Sequence, residues 1–215
     1  MRAPAIILSL FLLAVVASPV EARTSLTPAL FLARVSVNEA GWTPFSSGDM
    51  IAIHEVFLRG SSRQGISYLS YATHYSQRVA GIRPSTSGRI AWTMNLRLDG
   101  REPANWPRTR TEASTGGGPV RVLPHPPWSR YREAWLEVLA RAAEVSTWTL
   151  DDIDEWSVCD GEVHDWGSPR LDRARAERLG LIEVECGDTQ NDFWARPSLL
   201  PNEETEIEET EIDRD

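Results

Sequence analysis

Lysine is absent from this chain of 215 residues; all 22 basic residues are arginine. That uniformity reads as compositional bias of the coding genome and carries no functional signal. Two cysteines leave no material for a dense disulfide net, and a chain of this length requires neither that nor a structural metal. Removing a leader of 22 residues leaves about 193, enough to bury roughly 70% of the unfolded surface without either device. The hydrophobic share of 41% and the charged share of 25% exclude collagen, coiled coil and wholesale disorder. Nor is there a basic excess. The net charge is −9, and residues 201–215 hold eight carboxylates against Arg214 alone. The remaining mature chain, 23–200, is close to neutral, so no nucleic-acid footprint is expected. What the chain has in plenty is tryptophan, with nine residues.

The apolar run Ile6–Ala17 follows Arg2 and precedes Ser18-Pro19-Val20-Glu21-Ala22. This is a basic n-region, a short h-region and a small-residue cleavage site. Residues 1–22 are expected to be a signal peptide cut after Ala22, with Ala17 the alternative. The run is shorter than the roughly 20 apolar residues a membrane span needs, and no cysteine follows it to carry a lipid. The expectation is a periplasmic or secreted protein with no membrane anchor after cleavage. In an oxidising compartment Cys159 and Cys186 default to a disulfide, with two buried thiols as the alternative. The segment 201–215 is expected to be a disordered acidic tail.

Between leader and tail the patterning predicts one mainly α domain with minor strand content. Thr27 caps a helix with Pro28 at its first position, and Gly41 ends it. A second helix runs from Ser47 or Gly48 to Gly60, with Met50, Ile53, Val56 and Phe57 at helical spacing. A third covers about Arg63 to Gly81. Residues 99–127, with six prolines and Gly116-Gly117-Gly118, read as a long loop. Trp128, Tyr131, Trp135, Val138, Ala142 and Val145 form the strongest amphipathic helix. Ser168-Pro169 opens another that Gly180 ends, Leu181–Cys186 alternates like a short strand, and His164-Asp165-Trp166-Gly167 reads as a turn, with a site element as the alternative.

The stretch Asn38-Glu39-Ala40-Gly41-Trp42-Thr43-Pro44 places a glutamate in a last helical turn, against the negative end of the helix dipole and beside an aromatic. Both influences disfavour the charged carboxylate, which suits a general acid working near neutrality. Metal chemistry is not indicated. His54-Glu55 begins like a zincin helix, but Leu58 stands where the second histidine belongs, and His54, His74, His125 and His164 share no ligand spacing. A serine hydrolase would need a Gly-x-Ser-x-Gly elbow, and the chain has none. No cofactor is expected.

Glu39-Ala40-Gly41-Trp42-Thr43-Pro44 resembles the Glu-Ser-Gly-Phe-x-Pro signature of lytic transglycosylases with the lysozyme-like fold. Gly48-Asp49-Met50-Ile51-Ala52-Ile53, running to Leu58-Arg59, is similar to the helix that follows the glutamate in cell wall hydrolases of the spore-cortex-lytic type. Arg89-Ile90-Ala91-Trp92-Thr93 resembles that family's Gln-Phe-Ser-Trp-Thr segment, with Arg89 and Ile90 in place of Gln and Phe. Gly187-x-Thr189 with Phe193-Trp194 and Pro197 looks like its Gly-Ala-Thr-x-Phe-Tyr stretch.

The resemblance implies a lysozyme-like single domain over 23–200 that cleaves the MurNAc–GlcNAc linkage of peptidoglycan glycan strands. Glu39 would be the catalytic residue, acting as acid and then as base. Trp42, Tyr75, Trp92 and Thr93 would bind substrate. A hydrolysing muramidase adds a second carboxylate; Asp49 and Glu55 are nearest in sequence, in no convincing motif. A non-catalytic exported glycan- or protein-binding module on the same fold is the alternative from another class. Aromatics at helical spacing are also the ordinary substance of a core.

Overall fold

The computed structural model describes residues 26–41, 47–77, 79–80, 89–112, 121–167 and 173–199. The leader, Trp42, the triple glycine, Ser168-Pro169 and the acidic tail lie outside the described residues. Of the described residues 52% are helical and 13% lie in strands, so their fold is mixed with helix dominant.

Helix α1 (Pro28–Ala40) begins as its sequence requires: Thr27 Oγ1 accepts from the Leu30 N–H at 3.2 Å, with Pro28 in the first turn. Leu30 through Val37 are all buried, so α1 is enclosed by its neighbours and not merely faced on one side. Helix α2 (Ser47–Gln64) and helix α3 (Tyr68–Tyr75) follow. The expected break at Gly60 is absent and α2 runs one turn further. It stops at Gly65, whose φ of +63° is the left-handed conformation open to glycine. Ser67 then caps α3 through the Ser70 N–H. The third helix is therefore much shorter than the apolar stripe suggested.

Helix α4 (Ile90–Thr93) is a single turn packed on α1. The proline-rich segment is not a plain loop. Strands β1 (Thr109–Glu112) and β2 (Arg121–Pro124) pair antiparallel within it. Trp106 anchors it from the preceding stretch, with rings of Trp92 and Trp128 each edge-on at 5.0 Å and its indole N–H donating to Pro126 O. Three buried tryptophans offset what proline and glycine deny in regular hydrogen bonding. Helix α5 (Arg132–Val145) turns Trp135, Val138, Ala142 and Val145 inward against α1, as the periodicity requires.

Helix α6 (Leu150–Trp156) opens with a capping box. Thr149 Oγ1 accepts from the Asp152 N–H, and Asp152 Oδ2 accepts from the Thr149 N–H at 2.7 Å. Strand β3 (Asp165–Gly167), helix α7 (Arg173–Arg178), strand β4 (Ile182–Val184) and strand β5 (Asp192–Ala195) complete the chain. The sheet order is β3-β5-β4, antiparallel throughout. His164–Gly167 is thus no turn. Phe193 and Trp194 of β5 pair with Trp166 and Asp165, and burying those side chains requires the backbone to pair.

Cys159 and Cys186 are disulfide-bonded, joining the loop after α6 to the end of β4. Replacing both by serine should lower the unfolding free energy by about 2–4 kcal/mol, read from denaturant melts, because a long unfolded loop regains its freedom. Among the described residues no helix is long and apolar enough to cross a membrane.

His54 is fully buried on α2, between the Tyr68 hydroxyl and Trp148 O. Burial lowers its pKa to about 4, and burial together with Arg63, Arg59 and Arg196 lowers that of His164 to about 4. The unfolded chain then binds more protons than the native one between pH 6.5 and 4, so stability falls as pH drops through that window. His54 alone should cost about 3 kcal/mol across it. Chemical melts at pH 7, 5.5 and 4 would read this, and a flat profile would refute it.

Candidate functional site

Glu39 lies in the last turn of α1, partly exposed, and its Oε1 accepts from Asn38 Nδ2 at 2.9 Å. The end of α1 is closed by the Gly41 N–H on Val37 O at 3.0 Å and by a cation from elsewhere in the chain. Arg89, entering α4, donates from Nη1 to Asn38 O at 2.9 Å and to Val37 O at 3.4 Å. A guanidinium on the last carbonyls of a helix satisfies acceptors with no intrahelical partner and offsets the negative end of the dipole. Arg34 makes a second tie, donating from Nε to Leu96 O at 3.0 Å just beyond α4. Burial lowers its pKa to about 10, so it remains charged at neutral pH.

The start of α2 is pinned to the loop between β4 and β5. Asp49 is fully buried and accepts from the N–H groups of Gln190 at 2.8 Å and Asn191 at 3.1 Å, and from Asn191 Nδ2 at 2.7 Å. A side chain on Gly48 would meet Asp188 O at 2.4 Å, so only glycine lets the loop lie this close. Thr189 Oγ1 donates to Cys186 O at 3.2 Å, holding the loop's other end.

Arg89 is thus tied to the end of α1, and residues 190–191 are tied separately to the start of α2. Neither nearby carboxylate is available as a second catalytic acid. Asp49 is saturated by backbone and amide donors. Glu55, 1% exposed, accepts from the Val163 N–H at 3.1 Å, the Ser157 hydroxyl at 3.3 Å and Arg59 Nε at 2.8 Å. Burial pushes the Glu55 carboxyl up, while these donors oppose the shift. Both residues are structural hubs.

The aromatic and hydroxyl residues expected to bind substrate are placed less favourably. Trp92 is 8% exposed, its ring packed on Trp106. Thr93 is fully buried, and its hydroxyl donates to Arg89 O at 2.6 Å. Tyr75 stacks on Trp166 with centroids 4.7 Å apart, its hydroxyl donating to Asp165 Oδ1, and burial and the Asp165 charge push its pKa up. Trp92 and Thr93 are thus enclosed by protein contacts, and Tyr75 is half-buried with one ring face on Trp166. Trp42 lies outside the described residues.

Asn38, Arg34 and Arg89 escaped the sequence reading as site residues. Arg34 alone carried a visible signal, a charge within an otherwise apolar helix. Among the described residues no group of three or more His, Cys, Asp or Glu side chains is arranged to hold a metal ion. No protein-family model, curated protein or solved structure matches this chain.

Proposed function

We propose that this protein is an exported, lysozyme-like peptidoglycan glycosidase, a lytic transglycosylase that uses Glu39 as its one catalytic carboxylate. The observation that carries the reading is that the residues resembling that family's other two segments each hold one end of the stretch that bears Glu39 and the α2 start. Glu39 opens the first, Arg89 of the second caps the helix that bears it, and the loop of the third is locked to the start of α2. The structural employment of Asp49 and Glu55 supports the single-carboxylate route over a hydrolytic one.

In that route protonated Glu39 gives its proton to the glycosidic oxygen as the bond from MurNAc C1 breaks, freeing the GlcNAc 4-hydroxyl. The Glu39 carboxylate then takes the proton of the MurNAc 6-hydroxyl as that oxygen bonds to C1. Glu39 is restored, and the product is 1,6-anhydro-MurNAc. No water enters. Export through the signal peptide would place the protein with its substrate in the periplasm or outside the cell.

The enclosure of Trp92 and Thr93 favours a second reading, a non-catalytic glycan- or protein-binding module that kept the fold. Incubation with peptidoglycan sacculi followed by mass spectrometry separates the two. Muropeptides ending in 1,6-anhydro-MurNAc support the transglycosylase, and reducing MurNAc ends would replace it with a hydrolase. Sacculi that bind the protein and release nothing would leave the binding module.

A further inference from the structure

We propose that Asn38 is a positioning residue for Glu39, holding its carboxylate in one orientation and favouring its ionised form. The inference rests on the reading of Glu39 as the acid and base of the site. Three observations carry it. The side-chain amide donates from Nδ2 to Glu39 Oε1 at 2.9 Å. Its Oδ1 is buried with no hydrogen-bond partner. The backbone carbonyl of the same residue is held by Arg89 Nη1 at 2.9 Å.

A buried amide oxygen left unpaired is costly, so something must select this orientation over its reverse. Rotating the amide would turn Oδ1 toward Glu39 Oε1, oxygen against carboxylate, and leave the NH2 group in the unpaired place. An ionised Glu39 therefore selects the observed orientation, whereas a protonated Glu39 can donate to Oδ1 and selects the reverse. Amide orientation and protonation are coupled, and Arg89 holds the Asn38 backbone carbonyl in place. Asn38 thus stabilises the carboxylate that remains once the proton has gone to the leaving oxygen, against the helix dipole that opposes it.

Among the described residues, the charged groups on the elements packed against α1 include Arg132, which is exposed, and Arg141, which pairs with Glu144 at 2.7 Å. Arg34 on α1 itself holds Leu96 O. On α2, Asp49 holds residues 190–191, His54 lies between Tyr68 and Trp148, and Glu55 holds Arg59. On α5, Glu133, Glu137 and Glu144 are exposed. From the start of α4 comes Arg89.

The test is a carbon-13 NMR titration of the Glu39 carboxyl in the oxidised exported chain, its resonance assigned by loss in Glu39→Gln. In Asn38→Ala the midpoint should rise by about one unit, since a hydrogen bond to the charged form is lost. In Asn38→Asp it should rise further, because a second carboxylate beside the first disfavours ionisation. Should Asn38→Ala fail to fold, Asn38→Asp keeps the same sign of prediction. A midpoint equal to wild type in a variant with an intact melt overturns the proposal. Sacculi digestion by wild type tests the parent reading separately. No released muropeptide with both midpoints raised would end the glycosidase and leave the coupling standing.

Discussion

Glu39→Gln should reduce release of soluble muropeptides from sacculi by about 10²–10⁴-fold, the usual worth of general acid catalysis. The amide has the shape of the acid and cannot deliver a proton to the glycosidic oxygen. Stability should hardly change, because Glu39 is partly exposed and a glutamine can still accept from Asn38 Nδ2. A near-wild-type melt with lost activity is the expected pair of results. Activity kept in Glu39→Gln would move the chemistry to another residue, and a collapsed melt would make Glu39 structural. Asp49→Asn serves as the contrast. It removes a charge that three donors neutralise at the α2 start, so its first effect should be on the melt.

Glu55→Ala should lower the unfolding free energy by about 3–5 kcal/mol, in the range for breaking a buried ion pair by removing one partner. The carboxylate links α2 to the backbone of Val163 and to Ser157 beyond α6, and it sits on Arg59 one turn along. Arg59 keeps Asp154 at 2.7 Å and Glu162 at 3.0 Å, which places the loss toward the low end. Glu55→Gln keeps the shape and the acceptor for the Val163 N–H, so it should cost less. Replacing Glu55 and Arg59 together by methionine should recover part of the loss, because no charge is then left buried without its partner. Urea melts with the disulfide intact decide among these. A Glu55→Ala loss below 1 kcal/mol would show that the network contributes little.

Local chemistry was legible before any tertiary structure. Thr27-Pro28 opened the first helix, the spacing of Trp135, Val138, Ala142 and Val145 made the fifth amphipathic, and the two cysteines paired as their number implied. These features depend on neighbours within a turn or two, or on a pair with only one possible partner. The capping box at Thr149, with Asp152 three residues on, marks the start of the sixth helix by the same local chemistry.

Long-range placement was not legible. Nothing near Asp165 in sequence indicates pairing with Trp194, which is set by the burial of Trp166 and Phe193 across the sheet. The same separation hid the roles around Glu39. That glutamate stood out through its own helix end, but Arg89 reaches that end from 51 residues along the chain. A carboxylate's residue type does not say whether it faces substrate or backbone. Asp49 and Glu55 became structural only when distant N–H groups and Arg59 took up their lone pairs. Trp92 likewise became core when Trp106 packed on it, and Tyr75 became half-buried against Trp166. The sequence by itself determined where helices begin, where the cysteines pair and which glutamate ends a helix beside a turn. Only the tertiary structure decided which polar and aromatic groups remain exposed, because burial and hydrogen-bond saturation depend on what lies opposite in space, not alongside in the chain.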